Sequence, residues 1–371
     1  MRPVTVCDGV CRGCIWASSR ELHTLSEKTL RKLLEVLEPK MFSEVVLLCP
    51  DPLLHPEIER IVTVLRSYGD RISLFMPVNR LRSLRKSLVT EVSEIVLIAT
   101  DYESLVRERE YIKSFLSLGI EDLSIYFALS YGRIDLGEIL ATVDLCRSYG
   151  IRLRIGEIPY SSTYRLGLYD FFKSRGYEVA LPYGYMYGYR ASVAYIEHYR
   201  VVLLEKPVCE ECRNLYLDPL GRVYRCPFTE KYVDLNSGVS LDDVMRVLYS
   251  DSSAKHRVED YIPLIEISMA TPSGKVIPSD ILKLLEVIRY TNSFRKACSL
   301  LGYNPSTYLE KIRSLEKELG FRLLITQRGG YRRGLTTLTY EATKILERYR
   351  AIREQLIEYL AKLCETALLR S

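Results

Sequence analysis

Cysteine spacing is the feature of this chain that says most about its chemistry. Six of the ten cysteines form two groups, spaced C-x3-C-x2-C and C-x2-C-x13-C. Their members are Cys7, Cys11 and Cys14 in the first group, and Cys209, Cys212 and Cys226 in the second. Three thiolates on one short loop can bind three irons of a [4Fe-4S] cluster and leave the fourth iron open to a small chelating molecule. Structural zinc is the alternative, but zinc takes four protein ligands, and the first loop offers three, with no histidine nearer than His23.

The remaining composition predicts a soluble cytoplasmic protein. No run of about 18 apolar residues occurs, and the start of the chain lacks the long apolar segment of a signal peptide. The two glutamines and five asparagines are a depletion typical of thermophile proteins. The other four cysteines are interpreted as small buried apolar residues, although disulfide pairing among them stays open: Cys49, Cys146, Cys298 and Cys364.

Residues 1–180 alternate short β-branched runs with amphipathic helical stretches. The predicted strands are Pro3–Val6, Glu44–Cys49, Ile72–Met76, Glu94–Ala99, Leu123–Ala128 and Ile151–Ile155. Repeated βα units predict a parallel sheet whose functional loops lie at the carboxyl ends of the strands. The first cysteine loop directly follows the first predicted strand.

This arrangement resembles the radical SAM superfamily, whose signature is a C-x3-C-x2-C loop after the first strand. A second match is C-P-D-P-L-L-H-P at residues 49–56, similar to the family's G-G-E-P-L-L-H-P but without its glycines. The resemblance implies a partial (β/α)6 barrel in which Cys7, Cys11 and Cys14 hold the catalytic cluster and S-adenosylmethionine (SAM) is cleaved to a 5′-deoxyadenosyl radical. It also implies a set of SAM-binding residues: Asp51, Pro52, Thr100 and Glu157.

The second cysteine group resembles that of the MoaA family of molybdenum-cofactor cyclases, over roughly residues 3–250. Residues 209–228 share its spacing, the Gly221 turn and Phe228, and residues 154–159 read R-I-G-E-I-P. The resemblance implies a second [4Fe-4S] cluster in a small extension. Three arginines of that family are replaced by His55, Asn214 and Tyr216, which removes guanidinium groups suited to a triphosphate. We therefore expect a substrate other than GTP, still unidentified.

The basic charge of the chain lies near its end. Residues 280–371 carry 17 basic and 10 acidic residues, whereas the whole chain is only +5. Two short helices within 281–301, a third at Pro305–Leu319 and a basic segment at Arg322–Thr339 predict a winged helix-turn-helix. The region resembles the winged-helix domains of ModE and LysR regulators. The third helix would present Ser306, Thr307, Tyr308 and Lys311 to bases, and the wing would bring Arg328, Arg332 and Arg333 to phosphates.

A long helix is predicted at about Leu338–Leu369, with apolar residues at 4-3-4-3-4 spacing that favour a homodimer; packing on its own domain is the alternative. The predicted domains are a radical SAM barrel (1–180), a cluster extension (181–257), a winged helix (258–338) and a dimerisation helix (339–371).

Two functions stay open: an enzyme that requires an electron donor, or a transcription factor that senses SAM, cluster state or a pathway intermediate. DNA is the expected macromolecular partner, and no membrane partner is expected.

Overall fold

The structure is a computed structural model, and it divides the chain into two compact units. The first comprises Met1–Arg133 and Thr142–Val258, and the second Ile134–Ala141 and Glu259–Ser371. The residues described are 1, 3–4, 23–37, 39, 42–48, 51–117, 122–129, 134–157, 167–186, 189–207, 214–225, 231–238, 240–249, 267–326 and 335–368.

The first unit is a mixed α/β structure. Its large sheet contains β1 (Phe42–Leu47), β2 (Gly69–Pro77), β3 (Glu94–Ala99), β4 (Leu123–Leu129), β5 (Arg152–Glu157), β6 (Glu178–Met186), β7 (Tyr189–Ile196) and β8 (Tyr199–Pro207). A small sheet contains β9 (Tyr216–Leu217), β10 (Arg222–Tyr224) and β11 (Val233–Asp234). Its helices are α1 (Glu27–Val36), α2 (Ile58–Leu65), α3 (Lys86–Glu91), α4 (Tyr102–Arg107), α5 (Arg109–Ser117), α7 (Leu168–Ser174) and α8 (Leu241–Tyr249), together with the part of α6 (Leu136–Tyr149) that follows Ala141. Short 3-10 helices lie at Pro52–Leu54, Val78–Ser83 and Leu235–Ser237.

The large sheet has the order β1-β2-β3-β4-β5-β8-β7-β6. Its first six strands in this order, β1 to β5 and then β8, are parallel to one another. The predicted parallel sheet is therefore confirmed. Every residue of β3 is buried, as expected for a strand covered on both faces. The last three strands form an antiparallel meander, which the pattern of the first 180 residues did not predict.

Half of the predicted first strand, residues 5 and 6, lies outside the described residues. Val4 forms an isolated bridge with Thr24, and Met1 lies beside β1. The Met1 amino group donates to the Val46 carbonyl at 2.7 Å, and the Leu48 amide donates to the Met1 carbonyl at 2.8 Å. The number of βα units in the barrel stays a prediction.

One face of the large sheet carries a polar layer followed by an apolar layer. Glu94, Ser124 and Arg154 occupy the amino-terminal part of β3, β4 and β5, and all three are buried. Two residues further along β3 and β4, the same face carries Val96 and Tyr126, which belong to a hydrophobic cluster together with Phe75 of β2 and Leu204 of β8. The carboxyl ends of the strands lie beyond this cluster.

The second unit is helical, with two small hairpins. Its helices are α9 (Ser279–Thr291), α10 (Phe294–Leu301), α11 (Pro305–Leu319) and α12 (Tyr340–Leu368), and its strands are β12 (Met269–Ala270), β13 (Val276–Ile277), β14 (Leu324–Thr326) and β15 (Thr336–Leu338). Local signals set the bounds of α11. The Asn304 side chain accepts from two amides of the first turn, Pro305 is the first helical residue, and Gly320 ends the helix at φ 81°.

Candidate functional sites

Three of the predicted SAM-binding residues lie along one edge of the large sheet. Asp51 follows β1, Thr100 follows β3 and Glu157 ends β5, where it is paired in register with Leu129 of β4. Because these strands are parallel, their carboxyl ends meet at one edge, as the sequence predicted. Pro52 begins the 3-10 helix after Asp51 and is buried.

Asp51 is only 1% exposed, and its two carboxylate oxygens have different neighbours. Oδ1 accepts a hydrogen bond from the Leu53 amide at 3.0 Å, and Oδ2 lies 2.9 Å from Nε of Arg80. Arg80 comes from the segment after β2 and is 30% exposed. A cation of the protein therefore lies beside the carboxylate that was predicted to contact SAM, and that contact stays a prediction. Sequence reasoning missed Arg80, whose one signal was a cation just after a strand.

Glu157 and Thr100 are held by different contacts. The Tyr126 hydroxyl donates to the Glu157 carbonyl, and the Glu157 residue is 5% exposed. Gly156 precedes Glu157 in β5, and a Cβ added to this glycine would lie 2.5 Å from the Tyr126 hydroxyl oxygen. Glycine is therefore required by close approach at this point of β5. Thr100 Oγ1 donates to Asp101 at 3.3 Å, and Asp101 caps the start of α4.

The six predicted cluster ligands all lie outside the described residues: Cys7, Cys11, Cys14, Cys209, Cys212 and Cys226. Among the residues that are described, no group of three His, Cys, Asp or Glu side chains could hold a metal ion. Two other cysteines, Cys146 and Cys298, are free thiols and are buried, as predicted. Burial raises the pKa of Cys298 to about 11, so this thiol stays protonated near neutral pH.

Three further side chains singled out by the sequence have local structural partners: His55, Asn214 and Tyr216. His55 is buried, its Nε2 lies 2.8 Å from the Leu25 carbonyl oxygen, and its Nδ1 accepts from the Glu57 amide at 3.0 Å. Asn214 Nδ2 donates to the Tyr216 hydroxyl at 3.2 Å. None of the three has the planar guanidinium fork that suits a triphosphate.

In the second unit, α9, α10 and α11 pack around one hydrophobic cluster, to which α11 contributes Ile312 and Leu315. The first turn of α11 exposes Ser306 and Thr307, which the sequence predicted to face DNA. After α11, β14 and β15 pair antiparallel and flank the predicted wing. The wing residues Arg328, Arg332 and Arg333 lie outside the described part of the chain.

The other two residues predicted to read bases have partners within the unit. The Tyr308 hydroxyl and the Lys311 ammonium each lie 3.0 Å from the same carboxylate oxygen of Asp280, in the first turn of α9. Burial by itself would raise the pKa of Asp280, but the hydrogen bonds from Lys311 and Tyr308 lower it below its ordinary value. Asp280 was not predicted, because its partners are 28 and 31 residues away.

The long helix α12 packs apolar side chains into the core of the second unit in its first half and exposes others further along. Tyr349 is 3% exposed and belongs to the core of the second unit, while Arg353 pairs with buried Glu286 of α9 at 2.8 Å. Further along, Leu356 is 38% and Tyr359 59% exposed. The predicted apolar spacing therefore serves the domain core in its first half and leaves apolar side chains exposed beyond.

Comparison with known sequences identifies the helical region. Residues 280–343 match the family described as bacterial regulatory helix-turn-helix protein, lysR family. This range covers α9, α10, α11 and both wing strands, so the chain carries a LysR-type helix-turn-helix domain. No curated protein matches the chain.

Among solved structures, the fold is similar to three crystal structures of Streptococcus suis SuiB. The structure of SuiB bound to S-adenosylmethionine has 12% identity and a TM-score of 0.46, over 69% of this chain and 66% of that chain. The structure bound to precursor peptide SuiA has 13% identity and a TM-score of 0.46, over 69% and 65%. SuiB by itself has 13% identity and a TM-score of 0.46, over 69% and 66%. This chain thus spans slightly less than two thirds of the length of the SuiB chains.

Within the described residues, no helix combines the length and apolar character that a membrane span requires.

Proposed function

We propose that this chain is a DNA-binding regulator whose α/β unit is a radical SAM domain. The observation that carries DNA binding is the LysR-type helix-turn-helix at residues 280–343, with the first turn of α11 exposed. In such domains the second helix of the motif enters the major groove by its amino-terminal end. Ser306 and Thr307 are at that end, and the wing arginines would contact phosphates.

A dimer would present two such helices to an inverted repeat. We propose that the exposed apolar residues of α12, Leu356 and Tyr359, pair with a second copy of the helix. A twofold dimer then requires half-sites one or more helical turns apart, about 10 base pairs or a multiple.

The test is a salt-titrated binding assay of the full chain against DNA upstream of its own locus. Arg332→Ala combined with Arg333→Ala should weaken binding to every sequence and reduce the salt slope by about two, since each phosphate contact contributes about 0.9. Thr307→Ala should mainly relax sequence preference. A folded dimer with no salt-dependent DNA binding would contradict the proposal and leave the helix-turn-helix as a protein-interaction module.

Catalysis is the second candidate, favoured by two cysteine groups at cluster spacing and by three matching residues on the carboxyl edge of the sheet. Cys7, Cys11 and Cys14 would hold one [4Fe-4S] cluster, and the later group would hold another. Such a cluster supplies an electron, from an external donor, for cleavage of SAM. Arg80 lies beside the Asp51 carboxylate, and a non-catalytic, sensing role for the same domain is the alternative.

Anaerobic reconstitution separates these possibilities. We expect about eight irons per chain, and about four when Cys209, Cys212 and Cys226 are changed to Ala, because each cluster holds four irons. If the domain is catalytic, the reduced protein should cleave SAM and Cys11→Ala should abolish cleavage. Stoichiometric zinc without broad visible absorption would contradict the cluster assignment, whereas clusters without SAM cleavage would favour sensing. GTP should bind weakly, and the substrate is a small molecule still to be identified.

A further inference from the structure

Among the polar side chains of α11, two sets differ in their contacts. In the first set, Lys311 and Tyr308 bond to Asp280, and the Lys311 ammonium also lies 4.4 Å from the centroid of the Tyr308 ring. The Tyr308 ring in turn stacks on Tyr303, with centroids 4.0 Å apart and planes 3° from parallel. These contacts hold the first set against the body of the domain.

The second set is exposed and makes no side-chain hydrogen bond or ion pair to any residue that the structure describes: Thr307, Glu310, Arg313 and Lys317. At about 100° per residue, Glu310 lies roughly 170° around the helix from the mean direction of Ile312 and Leu315. Those two residues are buried in the core, so Glu310 is at the centre of the outward face.

A carboxylate at the centre of a DNA-facing helix is unfavourable for general binding, because phosphates repel it. Such a carboxylate contributes to recognition where it accepts a hydrogen bond from a base. Glutamate accepts from the N4 amino group of cytosine in the major groove. Arg313, one turn further on the same face, forms no ion pair with Glu310.

We propose that Glu310 is a specificity-determining residue that accepts a hydrogen bond from the N4 amino group of a cytosine in each half-site. Asp280 supports this role by holding Lys311 and Tyr308 against α9, which leaves the outward face to the second set. The inference rests on the proposed DNA-binding function.

The test is selection of preferred sites from random duplex DNA by the full chain and by two variants, Glu310→Ala and Glu310→Gln. Wild type should select a cytosine at one position of each half-site, and Glu310→Ala should lose that preference by about tenfold. Glu310→Gln keeps an acceptor oxygen but gains a donor, so its preference should shift toward adenine. Affinity for random DNA should be unchanged or higher in the variants, because a negative charge has been removed. Glu318→Gln is the matched control: it removes the same charge from the same exposed helix and should leave the selected sequence unchanged.

The outcomes separate the two levels of the proposal. If wild type selects a site and Glu310→Ala selects the same site, the role of Glu310 is wrong while DNA binding stands. Loss of preference at a base other than cytosine also overturns the assignment. If folded, dimeric wild type selects no sequence at all, the proposed DNA-reading function fails together with the inference.

Discussion

Replacement of Glu94 by Gln should destabilise the first unit strongly. Glu94 Oε1 lies 2.8 Å from Arg154 Nη2, and the two side chains are only 3% and 6% exposed. The Ser124 hydroxyl donates to the same carboxylate oxygen at 2.8 Å and accepts from Arg154 Nη1. Together with Ser124 the pair thus joins β3, β4 and β5, and all three side chains are buried.

The expected magnitude follows from desolvation. Gln keeps the shape of Glu but removes its charge, so the buried Arg154 guanidinium loses its ion pair with Glu94. Breaking one side of a buried ion pair costs about 3–5 kcal/mol, a large share of the roughly 5–15 kcal/mol that stabilises a typical domain. Arg152, 3.3 Å from Glu94 and half exposed, also pairs with Asp122 at 2.8 Å and can turn to that partner.

The assay is hydrogen–deuterium exchange of peptides from β3, β4 and β5, together with urea unfolding. Glu91→Gln is the matched control, because Glu91 pairs at 2.8 Å with Arg66 on the surface, where the side chains are 32% and 55% exposed. This control should cost no more than about 1 kcal/mol. The double change Glu94→Leu and Arg154→Met should lower the free energy of unfolding less than Glu94→Gln does, because no charge is left buried. The reasoning is refuted if Glu94→Gln and Glu91→Gln have equal effects.

Three further predictions concern the second unit. Cys298 should resist iodoacetamide in the native protein at pH 8 and react after unfolding, because burial raises the pKa of its thiol; rapid native labelling would contradict this. Leu356→Glu combined with Tyr359→Glu should halve the mass measured by light scattering, and an unchanged mass would place the dimer contact elsewhere. Because its hydrogen bonds lower the pKa of Asp280, the stability that its carboxylate contributes is present above about pH 4 and lost as pH falls below it. The stability difference between wild type and Asp280→Asn should therefore be constant from pH 5 to 7 and shrink in more acidic solution; a difference that already shrinks between pH 7 and 5 would contradict the lowered pKa.

The sequence by itself determined the regular elements that depend on local signals. The strand predicted at Glu94–Ala99 and the helix predicted at Pro305–Leu319 have the same bounds in the structure. A continuous β-branched and apolar run favours a buried strand, and an Asn-Pro start with a Gly end bounds a helix without help from distant residues. The same locality let the cysteine spacing predict cluster ligands and the order of elements predict the carboxyl-edge position of Asp51, Thr100 and Glu157.

Only the tertiary structure decided which charged groups face one another. Glu94 and Arg154 are 60 residues apart, and Asp280 and Lys311 are 31 apart, so no periodicity relates them. Their pairing follows from strand order and helix packing, which bring distant side chains within bonding distance. The same reason explains why the engagement of Asp51 by Arg80 and the outward position of Glu310 could not be read from the chain. Whether a carboxylate is available to a ligand depends on neighbours that folding supplies.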